Sequence, residues 1–121
     1  MKPRNIKQLQ EDSRDLTVVA LNPNQLVVES ASDPLNSHTV DVKFLPNDEV
    51  RTRCTCEWAQ YHGVACRHTM AALEHLAAHK GRTLSFWLDE TDARRQKRRT
   101  FRLVGEQAPS ERVWITSRRA S

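Results

Sequence analysis

Cys54-Thr55-Cys56 and Cys66-Arg67-His68 are two short pairs separated by the nine residues 57 to 65. They contain all three cysteines of the chain. Three thiols cannot all pair as intrachain disulfides, and three thiolates with one imidazole make the four-donor tetrahedral set of a structural zinc site. Residues two apart on an extended strand face the same side, so Cys54 and Cys56 can both reach one ion from a strand end. In a helix the same separation turns the side chains apart by about 200°, so Cys66 must precede a helix and His68 must sit in its first turn. Gly63 gives the intervening loop freedom for a close approach. Buried thiols serving as small apolar side chains are one competing reading, and a redox or nucleophilic cysteine is another. The clustering speaks against the first. Cys-x-Cys is not the Cys-x-x-Cys redox spacing, and no base-and-carboxylate pattern surrounds it. The expectation is one structural Zn2+ on Cys54, Cys56, Cys66 and His68.

Several elements must position these donors. Leu16 to Leu21 and Gln25 to Glu29 are short β-branched runs about the turn Asn22-Pro23-Asn24, which predicts a hairpin. Ser30 to Ser37 reads as a loop. His38 to Leu45 then alternates, with Val40, Val42 and Phe44 on one face and Thr39, Asp41 and Lys43 on the other. After Pro46-Asn47-Asp48, Glu49 to Thr55 returns as a strand carrying the first two cysteines. Arg67 to Lys80 is rich in Ala and Leu, with Met70, Leu73, Leu76 and Ala77 at helical spacing and Gly81 as a stop. A second helix is expected from Asp89 or Thr91 to about Arg98, acidic at its start and basic at its end. Thr100 to Val104 and Arg112 to Ser117 follow as a C-terminal hairpin.

With Trp58, Gly63 and Arg67 around the ligand pairs and a helix after them, the pattern Cys54-x-Cys56 and Cys66-x-His68 resembles a SWIM-type zinc finger. Ala65 stands where many members of that family have Pro. The resemblance spans roughly residues 38 to 80. It implies a short hairpin and a helix clamped by zinc, in proteins that bind DNA or other proteins. The fold class expected is α+β: a small antiparallel β-meander with a zinc-clamped ββα unit, a second short helix and a C-terminal hairpin. Residues 1–15 read as a mobile N-terminal arm, 16–88 as the zinc-stapled domain and 89–121 as a basic C-terminal segment.

The chain has 121 residues, of which 38% are hydrophobic and 28% charged, so its core is small and a metal staple is welcome. Its net charge is +4. Residues 1 to 88 hold ten Lys/Arg and ten Asp/Glu, while 89 to 121 hold nine and five, so the whole excess lies at the C-terminal end. Arg94, Arg95, Lys97, Arg98, Arg99 and Arg102 are suited to phosphates, with Phe101 and Trp114 as stacking faces for bases. A merely solvated charged helix is the bland alternative. The leading function is therefore a small DNA-binding accessory protein, with DNA favoured over RNA. A protein-interaction module within a larger DNA-processing or regulatory complex is the second reading. The three glycines form no phosphate-binding loop, and no nucleophile elbow, His-Glu-x-x-His helix or carboxylate dyad is present. An enzyme with a small-molecule substrate is not expected. Neither a membrane span nor a secretory signal is visible, so the expected location is cytoplasmic or nucleoid-associated. His75 and His79, one helical turn apart, admit a second metal or a charge-sensing pair. Trp58 and Trp87 read as packing residues, and Tyr61 and His62 as loop residues available to a partner.

Overall fold

The computed structural model describes residues 10–11, 13–14, 16–22, 24–30, 33–46, 48–55, 67–105 and 112–119. Seven strands form one sheet: β1 (Leu16–Asn22), β2 (Gln25–Ser30), β3 (Asp33–Leu45), β4 (Glu49–Cys54), β5 (Arg82–Trp87), β6 (Arg99–Gly105) and β7 (Arg112–Arg119). Two helices accompany them, α1 (Arg67–Ala78) and α2 (Glu90–Arg94). The class is α+β and mostly sheet, curled as a half-barrel. No helix among the described residues is long and apolar enough to cross a membrane.

The spatial order is β1-β2-β3-β4-β6-β7-β5. The first four strands are the expected meander, antiparallel throughout. The C-terminal hairpin β6–β7 joins it through a parallel pairing of β6 with β4, and β5 closes the far edge against β7. One sheet thus runs through both segments set apart in the sequence, 16–88 and 89–121.

Alternation determines the faces. Leu26 and Val28 of β2, Val40 and Val42 of β3, Val50 and Cys54 of β4, Leu84 and Phe86 of β5, Leu103 of β6, and Val113 and Ile115 of β7 all join the buried cluster. Helix α1 lies against this inner face and touches β1 to β5, contributing Met70, Ala71, Ala72 and Leu73 to the cluster. Its apolar stripe is broad enough to serve a curved sheet. Lys80 N–H bonds back to Ala77 and Gly81 N–H to Ala78, and Gly81 then takes φ 69, the left-handed value that ends the helix where expected. Ala93 of α2 is fully buried where that helix packs on β5 and β7.

Four local expectations need correction. Strand β3 begins at Asp33 rather than His38, because Glu29 pairs with Ser37 and Ser30 with Asp33 across an irregular ladder. Pro34 is tolerated near that strand's start, where a missing N–H costs least. Helix α2 ends at Arg94, four residues short of Arg98. Gln96 and Lys97 N–H groups bond three residues back, and Lys97 turns left-handed at φ 54. Strand β5 falls in a stretch to which no element was assigned, although Leu84 and Phe86 alternate with Thr83, Ser85 and Trp87. Phe44 has the inward parity of Val40 and Val42 but is 53% exposed, beyond the end of the core, with Lys80 Nζ 5.4 Å from its ring centre.

The described part of the N-terminal arm is docked. Gln10 Nε2 donates to the Leu84 carbonyl at 2.7 Å and to Glu74 Oε1 at 3.1 Å, and both Gln10 and Ser13 are buried. These bonds satisfy polar groups at the edge of α1 that an undocked arm would leave to water.

Candidate metal centre and basic surface

Two of the four expected metal donors lie among the described residues. Cys54 ends β4, buried, in register with Val40. His68 is the second residue of α1, also buried, as the helix geometry required. Cys56 and Cys66 lie outside the described residues, as do Trp58, Tyr61, His62 and Gly63.

The His38 ring packs 4.4 Å from the His68 ring, tilted by 50°, and its Nδ1 lies 3.4 Å from Thr55 Oγ1. Thr55 in turn donates its N–H to the Thr39 carbonyl and accepts from the Thr39 N–H through Oγ1. The middle of β3, the end of β4 and the start of α1 therefore meet at one place on the sheet. His38 was not singled out in the sequence. Its inward parity with Val40 and Val42 was the available signal.

The donor chemistry fits zinc. One thiol and one imidazole, both removed from solvent, sit at a strand end and in a helix's first turn. When bound, zinc would tie those ends together through that thiolate and that imidazole. Residues 38–77, from within β3 to the last turn of α1, match the family model of the SWIM zinc finger. Over those residues the chain is similar to a SWIM zinc finger. No curated protein and no solved structure matched the chain. In this finger the hairpin is β3–β4 and the helix is α1. Both are built into the larger sheet rather than standing as a separate ββα unit.

All six basic residues singled out between 94 and 102 are described, and most have carboxylate partners. Arg94 Nε binds Glu90 Oε2 at 2.7 Å, Arg95 lies 3.6 Å from Asp92, and Arg99 lies 3.4 Å from Asp48. Arg102, the least exposed of these paired arginines, is ion-paired with Glu49. Lys97 and Arg98 are exposed at the turn between α2 and β6 and have no ion pair among the described residues. The aromatic faces are partly taken. Arg94 lies over Trp114 at 5.5 Å and Arg99 over Phe101 at 5.0 Å, while Phe101 packs against the core. Trp87 is half-buried, with its Nε1 donating to Thr116 Oγ1 at 3.0 Å, so it does pack.

A second basic feature becomes visible only through the register. On the outer face of the sheet, Asp41 stands opposite Arg53, and Glu49 is ion-paired with Arg102. Between these two acid–base rows, Lys43 stands opposite Arg51, both exposed and neither ion-paired among the described residues. The same row continues through Val104 of β6 to Arg112 of β7. Directly opposed like charges destabilise a sheet, so this row is maintained at a cost while its neighbours are compensated.

His75 and His79 are brought together at the end of α1, Nε2 to Nε2 at 3.1 Å, with the rings edge to face. Partial burial, and then the neighbouring His79, hold His75 below its ordinary value.

Proposed function

We propose that this chain is a small non-catalytic nucleic-acid-binding protein, acting on DNA in preference to RNA, in which one zinc ion is structural. Cys54, Cys56, Cys66 and His68 hold the ion. Phosphates are contacted by Arg94, Arg95, Lys97, Arg98, Arg99 and Arg102, and also by Lys43 and Arg51. The uncompensated Lys43–Arg51 row carries the reading, because an anionic partner removes a repulsion that the protein alone retains. Neighbouring strands lie about 4.8 Å apart and alternate residues on one strand about 6.8 Å apart, so cations on β3 and β4 are spaced to follow a phosphate backbone. The ion pairs of Arg94, Arg95 and Arg99 are exposed and therefore weak, so these guanidinium groups can exchange a carboxylate for a phosphate.

The test is binding of labelled duplex and single-stranded DNA to the zinc-loaded chain across a salt series. Affinity should fall steeply with salt, and Lys97→Gln with Arg98→Gln should lower the slope by about 0.9 per lost phosphate contact. No affinity near 50 mM salt, or a flat slope, refutes the reading.

One observation favours a protein partner as the second reading. The edge strand β1 contains no charged residue, and Val19 and Leu21 are 50% and 59% exposed. A long apolar edge is a template for strand addition. If Val19→Lys abolishes function in cells while DNA affinity is unchanged, this second reading replaces the first.

A further inference from the structure

We propose that His75 and His79 form a second transition-metal site, separate from the finger, that takes a borderline divalent ion such as Zn2+ or Ni2+. The pair sits four residues apart, and the His79 N–H still bonds to the His75 carbonyl at 3.3 Å, so both imidazoles leave the same side of α1. Their Nε2 atoms are 3.1 Å apart. An ion about 2.05 Å from each of two imidazole nitrogens, at an angle between square and tetrahedral, needs those nitrogens about 2.9–3.3 Å apart. The observed separation lies within that bite.

Without metal, the same contact is a hydrogen bond in which one neutral imidazole donates from Nε2 to the other. A bound ion replaces that hydrogen bond with two nitrogen–metal bonds. The donor ring carries its proton on Nδ1 instead, and both rings stay neutral. Water completes the coordination. The nearest carboxylate along the helix, Glu74, is already engaged by Gln10, Ser13 and Arg14. Two protein ligands and an exposed position make this an exchangeable site, in contrast to the four-donor finger.

The test uses the full chain already loaded with its finger zinc. Isothermal titration with Zn2+ and, separately, with Ni2+ should show one further equivalent, and the side-chain nitrogen resonances of His75 and His79 should shift together. His75→Gln and His79→Gln, at positions that leave the core untouched, should each weaken that equivalent about tenfold or more. Absence of any further equivalent overturns the proposal. So does an equivalent that persists unchanged in both variants, or one that shifts the resonances of His38 and His68 instead.

Discussion

Replacing Lys43 by Gln should make the protein more stable and a poorer binder of nucleic acid at the same time. Lys43 and Arg51 are directly opposed on exposed strands, with acid–base rows on either side. A like-charge cross-strand pair costs about as much as a favourable one contributes, about 0.2–1 kcal/mol. Removing one charge should therefore raise stability by that amount at low ionic strength. For a domain near this size the gain is a rise of about 1–6 °C in Tm. The gain should shrink as added salt brings the Debye length below about 8 Å. In the salt series, loss of one phosphate contact lowers the slope by about 0.9. The two effects have opposite signs, so a weaker binder that is also less stable is a damaged protein and not a test of the surface. Arg53→Gln is the control. It removes the residue opposite Asp41 and should not stabilise. A Tm of Lys43→Gln that is unchanged or lower at low salt refutes the reasoning about the row, and a DNA slope equal to that of the parent refutes its role as a contact.

Phe86→Ala should cost about 3–5 kcal/mol in denaturant unfolding, because Phe86 is fully buried on a strand that α1 covers. Gln10→Ala should cost about 1–3 kcal/mol by stripping the buried Leu84 carbonyl of its donor, and an unchanged midpoint would mean that water replaces the side chain. Metal analysis should give one zinc per chain at the finger, and a chelator should reduce amide exchange protection at the start of α1 more than in β6 and β7. The folded chain holds His75 below its ordinary value, so the unfolded chain binds the proton more readily. Stability should be unaffected above pH 6.5 and fall as pH drops below it, and His75→Gln should remove that part of the pH dependence in a Tm series.

Elements whose signal is local were legible in the sequence. The β1–β2 hairpin, the alternation of Val40 and Val42, the helix from Arg67 and its stop at Gly81 follow from turn chemistry, pleat and helical period. Strand β5 was obscured because only Leu84 and Phe86 face inward in a short stretch between two helices. The parallel pairing of β4 with β6 has no local signature, since its partners lie about fifty positions apart. The candidate metal donors formed a legible motif, and the start of α1 at Arg67 followed from the helical turn between Cys66 and His68. The Lys43–Arg51 row was not legible. Which residues oppose each other depends on the register set at Pro46-Asn47-Asp48, and a shift of one residue would move the whole set to the other face. The run from Arg94 to Arg102 had the converse problem. Its charge was plain, but the carboxylates that occupy Arg99 and Arg102, Asp48 and Glu49, come from a distant turn.

The topology would give a zinc-loaded finger a task wider than its own length. Strand β5 is antiparallel to β7, β7 to β6, and β6 is parallel to β4, so β4 and β5 run the same way with two strands between them. The chain can join them only by leaving the sheet at the end of β4 and returning along α1. Cys54 and His68 stand on either side of that departure. An ion held there would fix where α1 begins relative to the inner face, and thereby which residues of α1 meet the core. Met70, Ala71, Ala72 and Leu73 follow immediately after His68, so a shift at the helix start would misalign the most buried part of the helix against five strands at once. Burial of that stripe supplies stability, and a bound metal would supply its register. The outer face is then free of structural duty over β3 and β4, where an uncompensated charge row can be kept for a partner.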